Sequence, residues 1–416
     1  MTSQILDRLL ARAVELDAGS PLSDTRERFR LPDGVVYLDG NSLGALPRSV
    51  APALSRVVEH EWGERLIRSW NEADWWGAQT RVGDRIGRLV GAAPGQVVVT
   101  DSTSVNLFKA IVGAARLRPG RRVVLTDPAS FPTDLYMAEA AARVEGLEVK
   151  RVTPVDAPRA IAELGDDLAV AAYSQVDYAT GELWDLAAIT DAAHSVGALA
   201  CWDLCHSAGA LDVRLDEAGA DLAVGCGYKY LNGGPGAPSF IYVAARHHSA
   251  FEQPLTGWFG HAKPFEMARD YSAAAGIDRL RVGTPPMLSV LALEAALEAF
   301  DDVSMTDVRD QSLSLTTTFV KALEALGVDM PLATPREPER RGSQVSLRHP
   351  QAFAVVQALI ARGVIGDYRE PDIVRLGFAP LYVTHVEAVA AARHLTEVLA
   401  GHEYERPEFN QRPAVT

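Results

Sequence analysis

The sequence predicts an α/β protein, with a mostly parallel sheet carrying helices on both faces and a smaller α+β region after it. Three observations carry that prediction. Short apolar runs such as 96–100 (QVVVT), 122–127 (RVVLTD) and 199–203 (LACWD) alternate with stretches of helical period. Strands that are apolar throughout and separated by helices mark βαβ units with both sheet faces covered. From residue 288 the pattern changes to two long helical stretches and then a short series of strand, helix, strand and helix.

The elements follow in order. The first seventeen residues form an amphipathic helix with Ile5, Leu9, Ala13 and Leu16 on one face. Its acidic and basic residues are mixed and it lacks the apolar centre of an export signal. A short strand over 35–38 ends in the turn residues Asp39, Gly40 and Asn41, and a helix covers 49–62. Four of the seven tryptophans, Trp62, Trp70, Trp75 and Trp76, then crowd into fifteen residues. They are open to two readings, bulky packing or an aromatic wall beside a ring-bearing substrate. Strands follow at 96–100, 122–127, 148–152, 168–176, 199–203, 222–225 and 239–243, with helices at 107–117, 131–144, 158–164 and 186–195 between them. Helices are expected at 288–300, 313–326, 352–362 and 386–399, strands at 344–347 and 373–376, and a loose tail at the end.

With 416 residues, 48% of them hydrophobic, the chain can bury a large core and divide into two or three domains. The net charge of −14 repels phosphate backbones and anionic lipid, so neither nucleic acid nor a membrane is expected as a partner. No apolar run reaches spanning length, and a cytoplasmic location is expected. The three cysteines, Cys201, Cys205 and Cys226, form no CxxC pair, so no zinc cluster or disulfide framework is indicated. The dinucleotide GxGxxG and the phosphate-loop GxxxxGK[ST] are both absent.

Two charges stand in unusually apolar company. Asp203 is the only formal charge between Asp191 and Asp212, and Lys229 the only one between Asp221 and Arg246. A lysine so placed either snorkels to water or is a desolvated amine kept for chemistry. A Lys for an aldehyde and an Asp for a ring nitrogen are what pyridoxal phosphate requires of a protein. Hydroxyls at Thr103 and Ser104, where a strand feeds a helix, suit a phosphate, although alone they would be read as helix caps. Phe131 with Asp134, then Ser174, then His206, also fall at expected carboxyl ends of strands.

The motifs YLDGNSLG, DSTSVNLF, FPTD, DLCHSAG, YKYLNGGPG, GWFGH and VGTPP, from Tyr37 to Pro286, and PDIVRLGFAPLYVTH, ending at His385, resemble in order those of the kynureninases, pyridoxal-phosphate enzymes of fold type I. The resemblance implies an aspartate-aminotransferase-like large domain over 51–287 that binds the cofactor. It also implies a small domain over 288–403, an N-terminal segment 1–50 packed with that small domain, and a tail from 404. Lys229 would bond the cofactor aldehyde, and Asp203 would pair with the ring nitrogen, with Asp134 nearby. At about 4 Å and an effective dielectric near 20 that pairing is worth roughly 4 kcal/mol. Phe131 would stack on the ring, with Pro132 and Thr133 beside it. Thr103, Ser104 and Tyr228 would hold the phosphate, and Ser174 and His206 would line the cofactor. Trp258 and Thr284 would reach in from the other subunit of a homodimer. Arg375 would fork onto the substrate carboxylate, with Asn41 and Ser42 close by. Without the resemblance, Arg375 reads as a strand-edge ion pair and His206 as a core histidine. The implied reaction is hydrolysis of the Cβ–Cγ bond of L-kynurenine, or its 3-hydroxy form, to anthranilate or 3-hydroxyanthranilate and L-alanine, in tryptophan catabolism. Tyr228 would protonate Cβ, and Thr at 284 favours the unsubstituted substrate. The rival readings are an aminotransferase or cysteine desulfurase of the same fold, or a non-catalytic protein on the same scaffold.

Overall fold

A computed structural model describes residues 2–411. Its centre is a seven-stranded sheet: β1 (Val97–Val99), β2 (Val123–Thr126), β3 (Glu148–Arg151), β4 (Leu168–Ser174), β5 (Leu199–Asp203), β6 (Leu222–Cys226) and β7 (Ser239–Val243). The spatial order is β1-β7-β6-β5-β4-β2-β3. All neighbours are parallel except β7, which runs against both β1 and β6. Both faces are buried, as the uninterrupted apolar runs require, except along the polar edge strand β3, which is largely exposed. Val98, Val170, Cys201 and Val224 pack on one side, and Val97, Ala171, Trp202 and Ala223 on the other.

Helices start and stop where local chemistry dictates. The helix Thr103–Leu117 begins after Ser102, whose hydroxyl accepts from the Val105 N–H. The helix Pro132–Glu145 has proline at its first position and ends at Gly146 in the left-handed region. Asp185 caps Leu186–Ser195 by accepting from the Ala188 N–H. A capping box between Thr384 and Glu387 opens His385–Ala400. No helix among the described residues is long and apolar enough to cross a membrane.

The smaller region holds an antiparallel sheet of β8 (Gln344–Arg348), β9 (Asp367–Arg369) and β10 (Ile373–Gly377), with β10 in the middle. β9 is absent from the sequence expectation, since three residues between Gly366 and Pro371 are too short to show a period. The first helix, Thr2–Ala18, packs against His385–Ala400. From there Val36–Tyr37 pairs in parallel with Val364–Ile365 in a separate two-stranded sheet, so the N-terminal segment is stitched to the smaller region. It then runs to the lysine turn, where the Gly44 N–H donates to the Tyr228 carbonyl at 2.8 Å. A Cβ at Gly44 would stand 2.3 Å from the Lys229 carbonyl oxygen, so only glycine permits this approach. The end of the chain departs from the expected loose tail. Glu403–Glu405 and Pro407–Asn410 form short turns against Ala352–Ala361, Tyr404 is buried, and Glu403 pairs with Arg362 at 2.5 Å. Residues 412–416 of that expected tail lie outside the described residues.

Candidate active site

A cavity of about 470 Å³ opens at the carboxyl ends of the central strands. Ser174 ends β4 and Asp203 ends β5, and the parallel register sets them side by side. Lys229 follows β6 on a turn that includes Gly234 at φ +86°, a conformation glycine adopts freely. Thr103, Ser104, Phe131, Thr133, Asp134, His206, Tyr228, Ser42 and Arg375 also face this space. Groups from 42 to 375 along the chain therefore converge, which spacing alone could not establish.

At the sheet end the electrostatics are those of an incomplete site. Burial, reinforced by Asp203 beside it, holds the Asp134 carboxyl far above the usual carboxylate range. Asp134 Oδ2 accepts from the Ser174 hydroxyl at 3.2 Å, while its Oδ1 is buried without a partner. Asp203 Oδ1 accepts from the Cys205 N–H at 2.6 Å. Burial, then the nearby Lys229 charge, pushes His206 well below its ordinary pKa. The neutral ring can then accept from the Lys229 ammonium through Nε2, at 3.0 Å. That leaves the hydrogen on Nδ1, which is buried and unpartnered. Burial, and then Cys226, raises the Tyr228 phenol, so it stays protonated.

The hydroxyl cup sits on the first turn of Thr103–Leu117. Ser104 and Thr133 touch through their hydroxyls at 2.9 Å, and the Thr103 hydroxyl lies 3.4 Å from that of Ser239. Below the cup, the fully buried Lys109 donates to Asp101 Oδ2 at 2.7 Å and to the Leu280 carbonyl at 2.8 Å. Lys109 escaped the sequence reading, although a charge inside an apolar helix was a visible signal.

The opposite end is built around Arg375, which is almost fully buried on β10. Asp367 stands across from it on β9. Arg375 Nε and Nη2 fork onto the two Asp367 oxygens at 2.7 and 2.5 Å, and Nη1 donates to the Tyr178 carbonyl at 2.6 Å. Ser42 donates to Asp367 at 2.6 Å and accepts from Arg375 at 2.7 Å and from Arg369 at 3.1 Å. Its hydroxyl is fully used in holding these groups. Asp367 and Arg369, which belong to the unforeseen β9, were missed for that reason.

Four expected site residues are not in this wall. Asn41 is fully buried, its amide reaching Gln344 at 3.3 Å. Pro132 spends itself starting its helix. Trp258 is exposed and lies edge-on to Phe259, 4.7 Å between centroids, and Thr284 is exposed too. None of Trp62, Trp70, Trp75 and Trp76 faces the cavity. Trp70 and Trp76 pack on Phe259, with the Arg281 guanidinium 5.6 Å from the Trp76 ring centre. Trp70 and Trp76 thus follow the packing alternative, whereas Trp62 is exposed.

The wall fits a flat, phosphorylated pyridine aldehyde. It offers a lysine amine, an acidic pair for a ring nitrogen, an unpartnered imidazole N–H for a ring oxygen, a phenyl group, and a hydroxyl-lined helix start for a phosphate.

Comparison with solved structures shows that the fold is shared with cysteine desulfurases. A cysteine desulfurase from Thermococcus onnurineus superposes with a TM-score of 0.78, covering 91% of this chain and 98% of that one at 20% identity. A second, from Escherichia coli, gives 0.74, again at 20% identity, over 91% of this chain and 98% of its own. At that identity the likeness concerns the fold alone. The profile of the kynureninase C-terminal domain matches residues 308–395. A kynureninase of Deinococcus radiodurans is 50% identical over 94% of this chain and 96% of its own. One of Burkholderia pseudomallei is 48% identical over 97% and 99% respectively. Identity of that degree over nearly the whole chain shows that it belongs to the kynureninase family.

Proposed function

We propose that the protein hydrolyses the Cβ–Cγ bond of L-kynurenine, releasing anthranilate and L-alanine, with pyridoxal 5'-phosphate held by the residues of the sheet end. The observation that carries this reading is one cavity presenting Lys229, the Asp134–Asp203 pair and Arg375 together. When bound, pyridoxal phosphate supplies an electron sink for the carbanions formed at Cα and Cβ.

The chain's own groups do the rest. Asp203, with Asp134 beside it, would hold the ring nitrogen, and Phe131 would cover the ring. Thr103, Ser104 and Thr133 would hold the phosphate. Arg375 anchors the substrate carboxylate, which fixes Cα near Lys229. The Lys229 amine would take the Cα proton, with neutral His206 at 3.0 Å as a hydrogen-bond partner rather than a competing cation. Water adds at the γ-carbonyl carbon, the Cβ–Cγ bond breaks with its electron pair left on Cβ, and the protonated Tyr228 supplies the proton that Cβ needs.

A homodimer completes the site in this reading. Trp258 and Thr284 are exposed and outside their own chain's cavity, as residues serving a second subunit must be. The aromatic surface around Trp258 and Phe265 is apolar enough to be covered. Against a desulfurase stands the state of the cysteines. All three are buried, and Cys205, which does face the cavity, has its thiol raised by Cys226 and by burial.

Anthranilate fluorescence with kynurenine and 3-hydroxykynurenine as rival substrates tests the assignment. Preference for kynurenine is expected. A clear preference for the hydroxylated compound overturns the substrate choice, and cleavage of neither overturns the reading.

A further inference from the structure

The arginine end of the cavity holds one more guanidinium than the proposed chemistry has used. Arg375 has five N–H bonds, and four are engaged by Asp367, Ser42 and Tyr178. One Nη1–H remains. Arg369 lines the same cavity and is the opposite case. Its Nη2 reaches Asp367 Oδ2 at 2.7 Å and Ser42 Oγ at 3.1 Å. Its Nε is buried without a partner, and no acceptor lies at Nη1 among the described residues. One donor of this partly buried cation, the Nε–H, is thus buried and unmet, a costly state that an anionic ligand would relieve, and the two Nη1–H are free to join it.

The two guanidiniums stand side by side, because both Nη2 atoms touch the same Asp367 oxygen and the same Ser42 hydroxyl. Asp367 compensates one of the two positive charges. Asp39, the other carboxyl nearby, supplies no full counter-charge, since burial and Asp367 raise it to about 7. Arg369 itself is pushed below its ordinary pKa by burial and by Arg375, so a negative ligand stabilises it as well.

We propose that Arg369 is a second carboxylate-binding residue, taking one oxygen of the substrate α-carboxylate while the free Nη1–H of Arg375 takes the other. The inference rests on the substrate reading above and refines it: the fork is divided between two arginines, and Ser42 and Asp367 position both.

Binding of L-alanine and of L-alaninamide to the cofactor-loaded enzyme, followed by the change in its visible spectrum, tests this. In the wild type the acid binds more tightly than the amide. Arg369→Gln raises the Kd of alanine about 10- to 100-fold and that of alaninamide by less than about 3-fold, with thermal midpoint and cofactor content unchanged. Arg369→Lys, which keeps the charge and loses the planar fork, recovers part of the loss and serves alone if the glutamine variant does not fold. Equal weakening of acid and amide, or weakening of neither, overturns the proposal. A wild type indifferent to acid and amide overturns it together with the carboxylate anchor. A wild type that discriminates but leaves kynurenine intact defeats the substrate reading and leaves Arg369 a carboxylate ligand.

Discussion

At the sheet end of the cavity, Ser174, Asp203 and Lys229 stand on or just beyond three adjacent parallel strands. At the other end Ser42 meets Asp367 across 325 residues of sequence. The first end leaves a buried carboxyl oxygen at Asp134 and a buried imidazole nitrogen at His206 without partners and without bracing between them. The second also leaves a donor free, the Arg369 Nε–H, but is cross-braced, with one carboxylate and one hydroxyl tying two guanidiniums. The contrast matches the two ligands proposed. A resident cofactor can complete the hydrogen bonds of a prepared socket once, whereas a substrate that comes and goes needs a clamp that keeps its shape when empty.

Substitutions can break or sharpen this contrast. Lys229→Ala has the largest expected effect. Turnover of kynurenine falls below detection and the visible band abolished by borohydride in the wild type is missing; steady-state cleavage by this variant would sink the assignment. Asp367→Ala comes next. It leaves two buried guanidiniums uncompensated and should cost about 3–5 kcal/mol of stability, read as a lowered unfolding midpoint.

Asp39→Asn follows and depends on pH. The folded-state value of about 7 lies above the ordinary 3.8, so between these limits the native protein binds the proton more tightly than the unfolded chain. Wild-type stability from this group is therefore lost as pH rises from about 4 to about 7. The amide variant should be more stable than wild type by roughly 2–4 kcal/mol above pH 7 and equal to it near pH 4. A difference that does not change with pH would contradict this. Asp134→Asn has the smallest expected effect, below about 1 kcal/mol at neutral pH, because burial and Asp203 push Asp134 towards its neutral form and the amide copies that shape. A loss of several kcal/mol in chemical denaturation would show instead that Asp134 is ionised in the fold.

The same contrast explains what was legible beforehand. Strands that are apolar throughout announced the central sheet, and turn or hydroxyl residues after them located the sheet end of the cavity. Lys229 and Asp203 stood out as lone charges in apolar runs. Arg375 was recognisable through its surrounding motif, not through the chemistry of its own strand. Asp367 and Arg369 were invisible because β9 has three residues and no period, and because their meaning lies in a cross-strand pairing with Arg375. Trp258 and Thr284 were named through resemblance, and nothing in the wall of a single chain's cavity would have drawn attention to them.

The central claim is cleavage of a carbon–carbon bond rather than transfer of an amine. The most direct measurement incubates cofactor-loaded enzyme with L-kynurenine and quantifies anthranilate and alanine over many turnovers without any keto acid added. The two products should appear in equal amounts and match the kynurenine consumed. Kynurenine lost without anthranilate, or turnover that begins only when pyruvate is supplied, would contradict the account.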